Sequence, residues 1–197
     1  NMTALFYCKP TAKDVLYLLI DPEKTPDEVV KKGDTVGLFY QKQLIGVNFL
    51  NFSRLVKIKA EGRITNPPEA MLEIVKNELQ KASFPIPDFS CSSGFTVAKV
   101  MNLEEHPLDE RKQIVTLECA GKTLTTSSRY QNLQIGSKIV VLLDRTIRFD
   151  GTVFHSSVIR NIPQDCEIAS PHDLGLSEES KSAYIEEEKE VGSDFFA

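Results

Sequence analysis

Several features that identify common classes of protein are missing from this 197-residue chain. It has no apolar run of about 18 residues, which excludes a membrane-spanning helix. Its first residues lack the basic stretch and apolar segment of a secretory signal, so we expect none. It has only four cysteines and no Cys-x-x-Cys pair, which argues against a zinc site and suits a reducing cytoplasm.

The motifs of common enzymes are also missing. We find no glycine-rich phosphate loop, no metal-ligand spacing and no nucleophile elbow. His155 and Ser156 are adjacent, and in a strand their side chains would point to opposite faces, so they do not form a catalytic pair. His106 is expected to pack on Pro107 in a loop rather than to act in catalysis. We therefore predict that the protein is not an enzyme and has no cofactor and no metal ligand.

The charge of the chain is weak overall but unevenly distributed. A formal net charge of −5 argues against indiscriminate binding of nucleic acid. Residues 95–163 carry nine basic and seven acidic side chains, whereas residues 164–197 carry two basic and ten acidic ones. The acid is concentrated in this C-terminal tail, and the preceding part is mildly positive. Any affinity for RNA should then be modest and sensitive to salt.

The first 90 residues read as strands followed by one amphipathic helix. Apolar runs of strand length occupy residues 5–8, 15–20, 36–40 and 44–49. Pro67 and Pro68 suit the first turn of a helix, where no backbone N–H is needed. Apolar residues then recur at helical spacing from Met71 to Ala82. The sequence predicts an α+β N-terminal domain over residues 1–90.

Residues 91–197 read as all-β with an acidic C-terminal tail. Segments with the composition of strands occupy residues 95–100, 113–119, 122–126, 139–143 and 152–159. Ala120-Gly121 and Asp150-Gly151 are suited to reversing the chain between strands. Ser170 is placed to cap a short helix. This succession of strand, turn, strand, break and short helix is typical of a small barrel.

The order of landmarks in this second half is more specific than its composition. The landmarks are Phe95–Val100, His106-Pro107, Gly121, Asn132, Gly136, the strand at residues 139–143, Gly151, Arg160 and Leu174-Gly175-Leu176. This order resembles the tRNA-binding domain of the EMAP-II/Trbp111 type. That domain also begins the bacterial phenylalanyl-tRNA synthetase β chain and ends some methionyl-tRNA synthetases. The resemblance implies an all-β OB-fold barrel over residues 91–197 and tRNA as the partner.

One N-terminal segment extends the resemblance. Gly46–Ser53 reads Gly-Val-Asn-Phe-Leu-Asn-Phe-Ser and resembles the Gly-Phe-Asn-x-Phe-Asn segment of YtpR-type proteins. The whole chain therefore resembles a YtpR-type protein. The segment itself has two interpretations, a strand end whose asparagines bond turn backbone or an interaction surface.

Two clusters combine arginine with an aromatic residue. Arg129 and Tyr130 are adjacent, and Arg145, Arg148 and Phe149 lie close to the Gly151 turn. An arginine pairs with phosphate, and an aromatic ring offers a stacking face for an unpaired base. A surface loop with a half-buried tyrosine is the plainer interpretation of the first cluster.

The resemblance adds three further positions. Asn132 and Arg160 match an asparagine and an arginine of the tRNA-binding domain family. Lys112 lies near the position of a lysine of that family and could have the same role. The predicted RNA-binding residues are therefore Lys112, Arg129, Tyr130, Asn132, Arg145, Arg148, Phe149 and Arg160.

Two acidic residues leave an alternative function open. Asp165 and Glu167 stand where the family has Ser-x-Gly-Met, and each would repel phosphate by about 1 kcal/mol at low salt. The first hypothesis is a non-catalytic, cytoplasmic tRNA-binding protein. The second is a protein-interaction module that kept the OB fold and lost most of its tRNA affinity. In either case a protein partner could bind the N-terminal domain.

Overall fold

A computed structural model describes residues 3–197. The contacts divide the chain into two compact units, of which unit 1 ends at Cys91 and unit 2 runs from Ser92 to Ala197. The protein is mostly β, with 38% of its residues in strands and 8% in helices.

Unit 1 is one antiparallel sheet of six strands covered by a helix. The strands are β1 (Ala4–Cys8), β2 (Val15–Leu19), β3 (Glu28–Lys32), β4 (Thr35–Tyr40), β5 (Gln43–Leu50) and β6 (Gly62–Ile64). Their order across the sheet is β3-β4-β5-β2-β1-β6. A 3-10 turn, Phe52–Arg54, follows β5, and the helix α1, Glu69–Lys81, follows β6. The helix packs Met71, Val75 and Leu79 into a buried core that includes the sheet residues, because these positions share one helical face.

The prediction of an α+β N-terminal domain is wrong. Within residues 3–91 the framework is a six-stranded antiparallel sheet, and α1, with 13 residues, is the single α-helix. The strands β3 and β6 were not predicted from the sequence. All residues of β3 except Val30 are exposed, and β6 has only three residues. Neither strand has the alternation of apolar and polar residues from which a strand is predicted. The strand content of unit 1 was therefore underestimated.

The segment Gly46–Ser53 forms a strand and the turn that follows it. Phe49 and Phe52 are almost completely buried, and Asn51 adopts a left-handed conformation with φ 51°. Asparagine tolerates this conformation better than most residues. Both rings lie in the core and are not exposed for an interaction, but Asn51 makes no side-chain capping bond with the turn. Burial of the rings argues against an interaction surface, and the predicted asparagine bonds to turn backbone stay a prediction.

The Asp14 carboxylate links the 3-10 turn after β5 to strand β1. Asp14 accepts hydrogen bonds from the Tyr7 hydroxyl at 2.8 Å, the Ser53 N–H at 2.9 Å and the Ser53 hydroxyl at 2.7 Å. Tyr7 is 2% exposed. Its burial, together with the bond to Asp14, raises the pKa of Tyr7 to about 12. Asp14 therefore connects β1 with the turn after β5.

Replacing Asp14 with alanine should lower the free energy of unfolding of unit 1 by about 2 kcal/mol, because a buried hydroxyl and a backbone N–H lose their acceptor. Urea denaturation followed by circular dichroism measures the change. Tyr7→Phe is the matched control, since it removes one of the three bonds and should cost about 1 kcal/mol. An Asp14→Ala variant as stable as Tyr7→Phe would contradict this account.

Unit 2 is a second antiparallel sheet with an added hairpin. Its strands are β7 (Phe95–Glu105), β8 (Gln113–Cys119), β9 (Lys122–Ser128), β10 (Lys138–Leu142), β11 (Ser157–Ile159), β12 (Ile162–Gln164), β13 (Glu167–Ile168) and β14 (Ile185–Glu186). The main order is β13-β10-β7-β8-β9, and β14 also pairs with β10. The predicted hairpin of β8 and β9 is present, and both Ala120 and Gly121 have positive φ at its turn. That conformation matches the right-handed twist of the flanking strands.

The sheet of unit 2 curls until its two edges nearly meet. The Asp165 N–H donates to the Thr125 carbonyl at 2.8 Å on the β9 edge. The Asp165 carboxylate accepts from the Thr125 N–H, also at 2.8 Å. Two residues later the chain pairs with β10 as β13. Apolar residues of the strands, among them Val100, Leu117 and Ile139, fill the interior.

The predicted fold class, an α+β domain followed by an OB-fold barrel, is therefore corrected. The observed fold is a mostly β chain of two units with antiparallel sheets, and the curled sheet of unit 2 is compatible with a β-barrel-like fold. Two details of unit 2 also differ from expectation. The predicted strand at residues 152–159 is reduced to β11 and a single bridge at Val153. Around Ser170 the chain makes a turn, in which Ser170 and Asp173 exchange side-chain-to-backbone hydrogen bonds.

The last residues of the chain lie along the first strand of unit 2. The Gly192 N–H donates to the Val97 carbonyl at 2.8 Å, and the Phe195 N–H donates to the Phe95 carbonyl at 2.8 Å. Phe196 packs edge-on against the Phe95 ring, with centroids 5.3 Å apart. The acidic C-terminal segment is thus an integral part of unit 2.

Candidate nucleic-acid interface

A groove in unit 2 gathers four of the predicted RNA-binding residues. It has a volume of about 680 Å³ and lies between the end of β9, the β11–β12 hairpin, β13 and the segment around Lys181. We call it the β9 groove. Its charged and aromatic lining residues are Lys112, Arg129, Tyr130, Arg148, Phe154, His155, Glu167 and Lys181.

Strand register places two of the cations together. Gln113, the first residue of β8, is opposite Ser128, the last residue of β9. Lys112 and Arg129 therefore flank the same end of the hairpin, and Lys181 lines the groove with them. In the part of the chain that the structure describes, none of these three cations has a carboxylate within ion-pairing distance. Arg129 is still close enough to Asp109 to help lower the pKa of that carboxyl, so its charge is partly offset. The groove keeps positive charge that is not held in ion pairs.

Arg148, the fourth cation of the groove, is neutralised. Its Nε and Nη2 donate to the two carboxylate oxygens of Glu167 at 3.1 and 3.0 Å. Its Nη1 donates to the Thr152 hydroxyl at 3.2 Å, and the guanidinium lies over the Phe154 ring, 5.9 Å from its centroid. The hydrogen bonds with Glu167 raise the pKa of Arg148 above its ordinary value. This is a bidentate pair of the geometry that arginine and carboxylate prefer.

The aromatic residues of the groove are largely embedded. Tyr130 is half-buried and packs against the core of the curled sheet. Burial raises the pKa of its hydroxyl. Phe154 is 8% exposed. The faces of these two rings are therefore mostly occupied by protein, which leaves little surface for stacking a base.

Two other predicted residues have structural roles. The Asn132 side chain donates to the Ala183 carbonyl and accepts from the Ala183 N–H, both at 2.9 Å. This pair of hydrogen bonds resembles one step of a β-ladder and holds the segment before β14 in place. Phe149 packs edge-on against Phe95 at 5.8 Å and belongs to an apolar core. Neither residue lines the β9 groove.

The remaining two predicted residues are exposed but lie outside the groove. Arg145 has φ 71° in the turn after β10, and Arg160 has φ 52° in the turn between β11 and β12. Arg160 borders a smaller polar pocket with the loop that contains His106. The His106 Nδ1 there accepts hydrogen bonds from the backbone N–H groups of Leu108 and Asp109, both at 3.0 Å. The imidazole therefore shapes a turn.

Sequence reasoning missed Lys181 among the groove residues. It lies within residues 164–197, which were interpreted from their charge only as an acidic tail. A signal was present, since Lys181 is the single basic residue between residues 164 and 188. Phe154, His155 and Gln164 were missed too, because their place in the groove depends on how the β11–β12 hairpin folds beside β9.

The two acidic residues that were expected to repel phosphate are both engaged by the protein. The Asp165 carboxylate accepts the Thr125 N–H, and Asp165 does not line the β9 groove. Glu167 does line it but pairs with Arg148. The groove lining is net positive, because Lys112, Arg129 and Lys181 line it in addition to the Arg148–Glu167 pair.

Within residues 3–197, no helix is both long and apolar enough to cross a membrane. Over the same residues, no group of three His, Cys, Asp or Glu side chains could hold a metal ion.

No protein-family model matches the sequence, and the curated proteins compared with it contain no match. The similarity to YtpR-type proteins therefore stays a prediction.

Proposed function

We propose that unit 2 is a non-catalytic RNA-binding unit that holds structured RNA, in particular tRNA, in the β9 groove. The observation that carries the proposal is the convergence of Lys112, Arg129 and Lys181 on one groove, with no carboxylate of residues 3–197 within ion-pairing distance of them. Phosphate groups of a folded RNA backbone supply the complementary charge. The order of landmarks in the sequence supports tRNA as the particular RNA. The proposed location is the cytoplasm, which suits four unpaired cysteines.

The embedded rings of Tyr130 and Phe154 favour one mode of binding. A protein that reads unpaired bases presents open aromatic faces on which the bases stack. Here the cations Arg129 and Lys181 are exposed and Lys112 is half-buried, and cations contact phosphate whatever the base sequence. The proposed complex is therefore held mainly by backbone contacts, with modest affinity, a steep salt dependence and little sequence preference.

Removing the three free cations should weaken binding strongly. In the triple variant Lys112→Gln, Arg129→Gln and Lys181→Gln, we expect affinity for labelled bulk tRNA to fall at least tenfold at about 50 mM salt. The slope of log affinity against log salt should decrease by about 2, because each lost phosphate contact removes roughly 0.7–0.9. Fluorescence anisotropy between about 50 and 200 mM salt measures both quantities.

The matched control removes three exposed cations that do not line the groove, in the variant Lys31→Gln, Lys99→Gln and Lys122→Gln. Its net charge equals that of the groove variant, so a purely global charge effect would weaken both equally. We expect the control to bind within about threefold of the unmodified protein, since long-range charge effects are screened. Equal losses in the two variants, or no binding of the unmodified protein at low salt, would refute the proposal.

The second candidate function is a protein-interaction module. Val158 and Ile159, neighbours in β11, are 68% and 56% exposed. Adjacent exposed apolar side chains on a two-stranded ribbon are suited to contact with another protein. A stoichiometric protein partner that survives ribonuclease treatment and is lost in Val158→Ser, Ile159→Ser would favour this candidate. The protein partner predicted for the N-terminal domain, which would bind unit 1, stays a prediction.

A further inference from the structure

Arg148 lines the β9 groove, and three of the five N–H donors of its guanidinium are bonded to protein side chains. Its Nε and Nη2 are bonded to Glu167, and its Nη1 is bonded to Thr152. Every nitrogen of the guanidinium is therefore engaged by the protein. A phosphate group would present the same pair of acceptor oxygens that Glu167 already provides.

The ion pair is not placed where it would contribute much to the stability of the fold. The side chains of Arg148 and Glu167 are 31% and 35% exposed. Pairs with this much contact with water contribute little to stability. Arg148 is also positioned by Thr152 and by the Phe154 ring, so its location does not depend on Glu167 alone. The clearest consequence of the pair is electrostatic, because it cancels one of the four strongly basic side chains of the groove.

We infer that Glu167 acts as a built-in competitor for phosphate, which occupies Arg148 and limits the affinity of the β9 groove for RNA. The inference rests on the proposed function of this groove. Glu167 is thus a determinant of affinity that does not itself contact the ligand. Binding through three cations, with the fourth withheld, keeps the complex weak and readily reversed.

The first test is Glu167→Gln, which keeps the shape of the side chain and removes its charge. Affinity for bulk tRNA at about 50 mM salt should rise about fivefold to tenfold. The salt slope should steepen by roughly 0.7–0.9, the value for one additional phosphate contact. Glu118→Gln removes the same charge from β8, outside the groove, and should change affinity less than twofold because its charge is screened.

Arg148 provides the decisive arm of the test. In the double variant Arg148→Gln, Glu167→Gln, the groove has the same net charge as in the unmodified protein, and the affinity should return to the unmodified value. Arg148→Gln alone leaves the Glu167 charge without its partner and should weaken binding. Thermal melts of all variants check that the fold is retained. If the double variant still binds as tightly as Glu167→Gln, Arg148 is not the group that Glu167 withholds.

The outcomes separate this inference from the proposed function. If the unmodified protein binds tRNA and Glu167→Gln is no tighter than Glu118→Gln, the inference is overturned and the proposed function stands. If only Glu167→Gln binds, Glu167 does block the groove, and the proposed function fails for the unmodified protein. If no variant binds tRNA, both are overturned.

Discussion

Replacing Gly94 with alanine should lower the free energy of unfolding of unit 2 by about 2–5 kcal/mol. Gly94 has φ +86°, where a β-carbon is unfavourable, and a Cβ there would lie 2.0 Å from the Thr146 hydroxyl oxygen. Thr146 is fully buried, and its hydroxyl donates to the Leu143 carbonyl at 2.7 Å. The threonine can make room only by giving up that bond or by displacing its neighbours. Urea denaturation followed by circular dichroism measures the loss.

Gly151→Ala is the control for this substitution. Gly151 has φ +88°, almost the same conformation, but a Cβ there would meet nothing within 4 Å. Gly151→Ala should lower the free energy of unfolding of unit 2 by only about 1–2 kcal/mol, the cost of placing a β-carbon at a positive φ. The difference between the two variants isolates the collision with Thr146. Equal stabilities would show that the backbone of unit 2 relaxes around the added methyl group, contrary to this prediction.

Replacing Asp194 with alanine should have the second largest effect, a loss of about 3 kcal/mol. The Asp194 carboxylate accepts four hydrogen bonds, from the Ser92 hydroxyl, the Ser93 N–H and hydroxyl, and the Phe196 N–H, at 2.7–3.1 Å. These bonds fasten the start of unit 2 to its C-terminal segment. Asp194→Asn, which keeps the shape but loses the charge, should cost less than alanine. An Asp194→Ala variant within 0.5 kcal/mol of the unmodified protein, the scatter of ordinary surface substitutions, would contradict this role.

The Asp194 contribution should also depend on pH. Burial alone raises the pKa of this carboxyl, but the hydrogen bonds from Ser93, Phe196 and Ser92 outweigh it, so the pKa lies below its ordinary value. A group whose pKa is depressed by folding stabilises the protein above the unfolded pKa, near 4, and loses that contribution as pH falls through the folded pKa. The stability difference between the unmodified protein and Asp194→Ala should therefore shrink as the pH falls from about 5 to about 2. A difference that is constant over this range would show that the charge of Asp194 is not involved.

Local signals in the sequence were sufficient for some elements and not for others. The β8–β9 hairpin and α1 have clear patterns, because turn residues, alternation and helical spacing are all encoded by near neighbours. The strands β3 and β6 lack such a pattern and are defined by pairing with β4 and β1. For β6 the partner strand lies more than 50 residues away in the sequence. For β3 the partner is the next strand, but exposed residues on both faces of β3 leave no apolar pattern. Unit 1 was therefore assigned too little β structure.

The candidate site shows the same limit. Arg129 and Lys112 are 17 positions apart, and only the register of β8 against β9 shows that they are neighbours. Arg148 and Phe149 were predicted to act together because they are adjacent in sequence. Both side chains line a neighbouring pocket of about 580 Å³, but only Arg148 also lines the β9 groove, and the Phe149 ring packs against a core. Lys181 reaches the groove through contacts that no local pattern encodes.

The hydrogen bonds between residues 192–195 and the start of β7 have a consequence for the biogenesis of the protein. They join positions about 95 residues apart, such as Val97 and Gly192, across almost the whole of unit 2. During synthesis, all of unit 1 is available for folding once Cys91 has left the ribosome. The hydrogen bonds between β7 and residues 192–195 can form only after nearly all of unit 2 has been made. Long-range closure of this kind is slow, and domains generally fold in the order in which they are made. Unit 1 should therefore fold during translation, and unit 2 should remain open to chaperones until its last strand partner has left the ribosome.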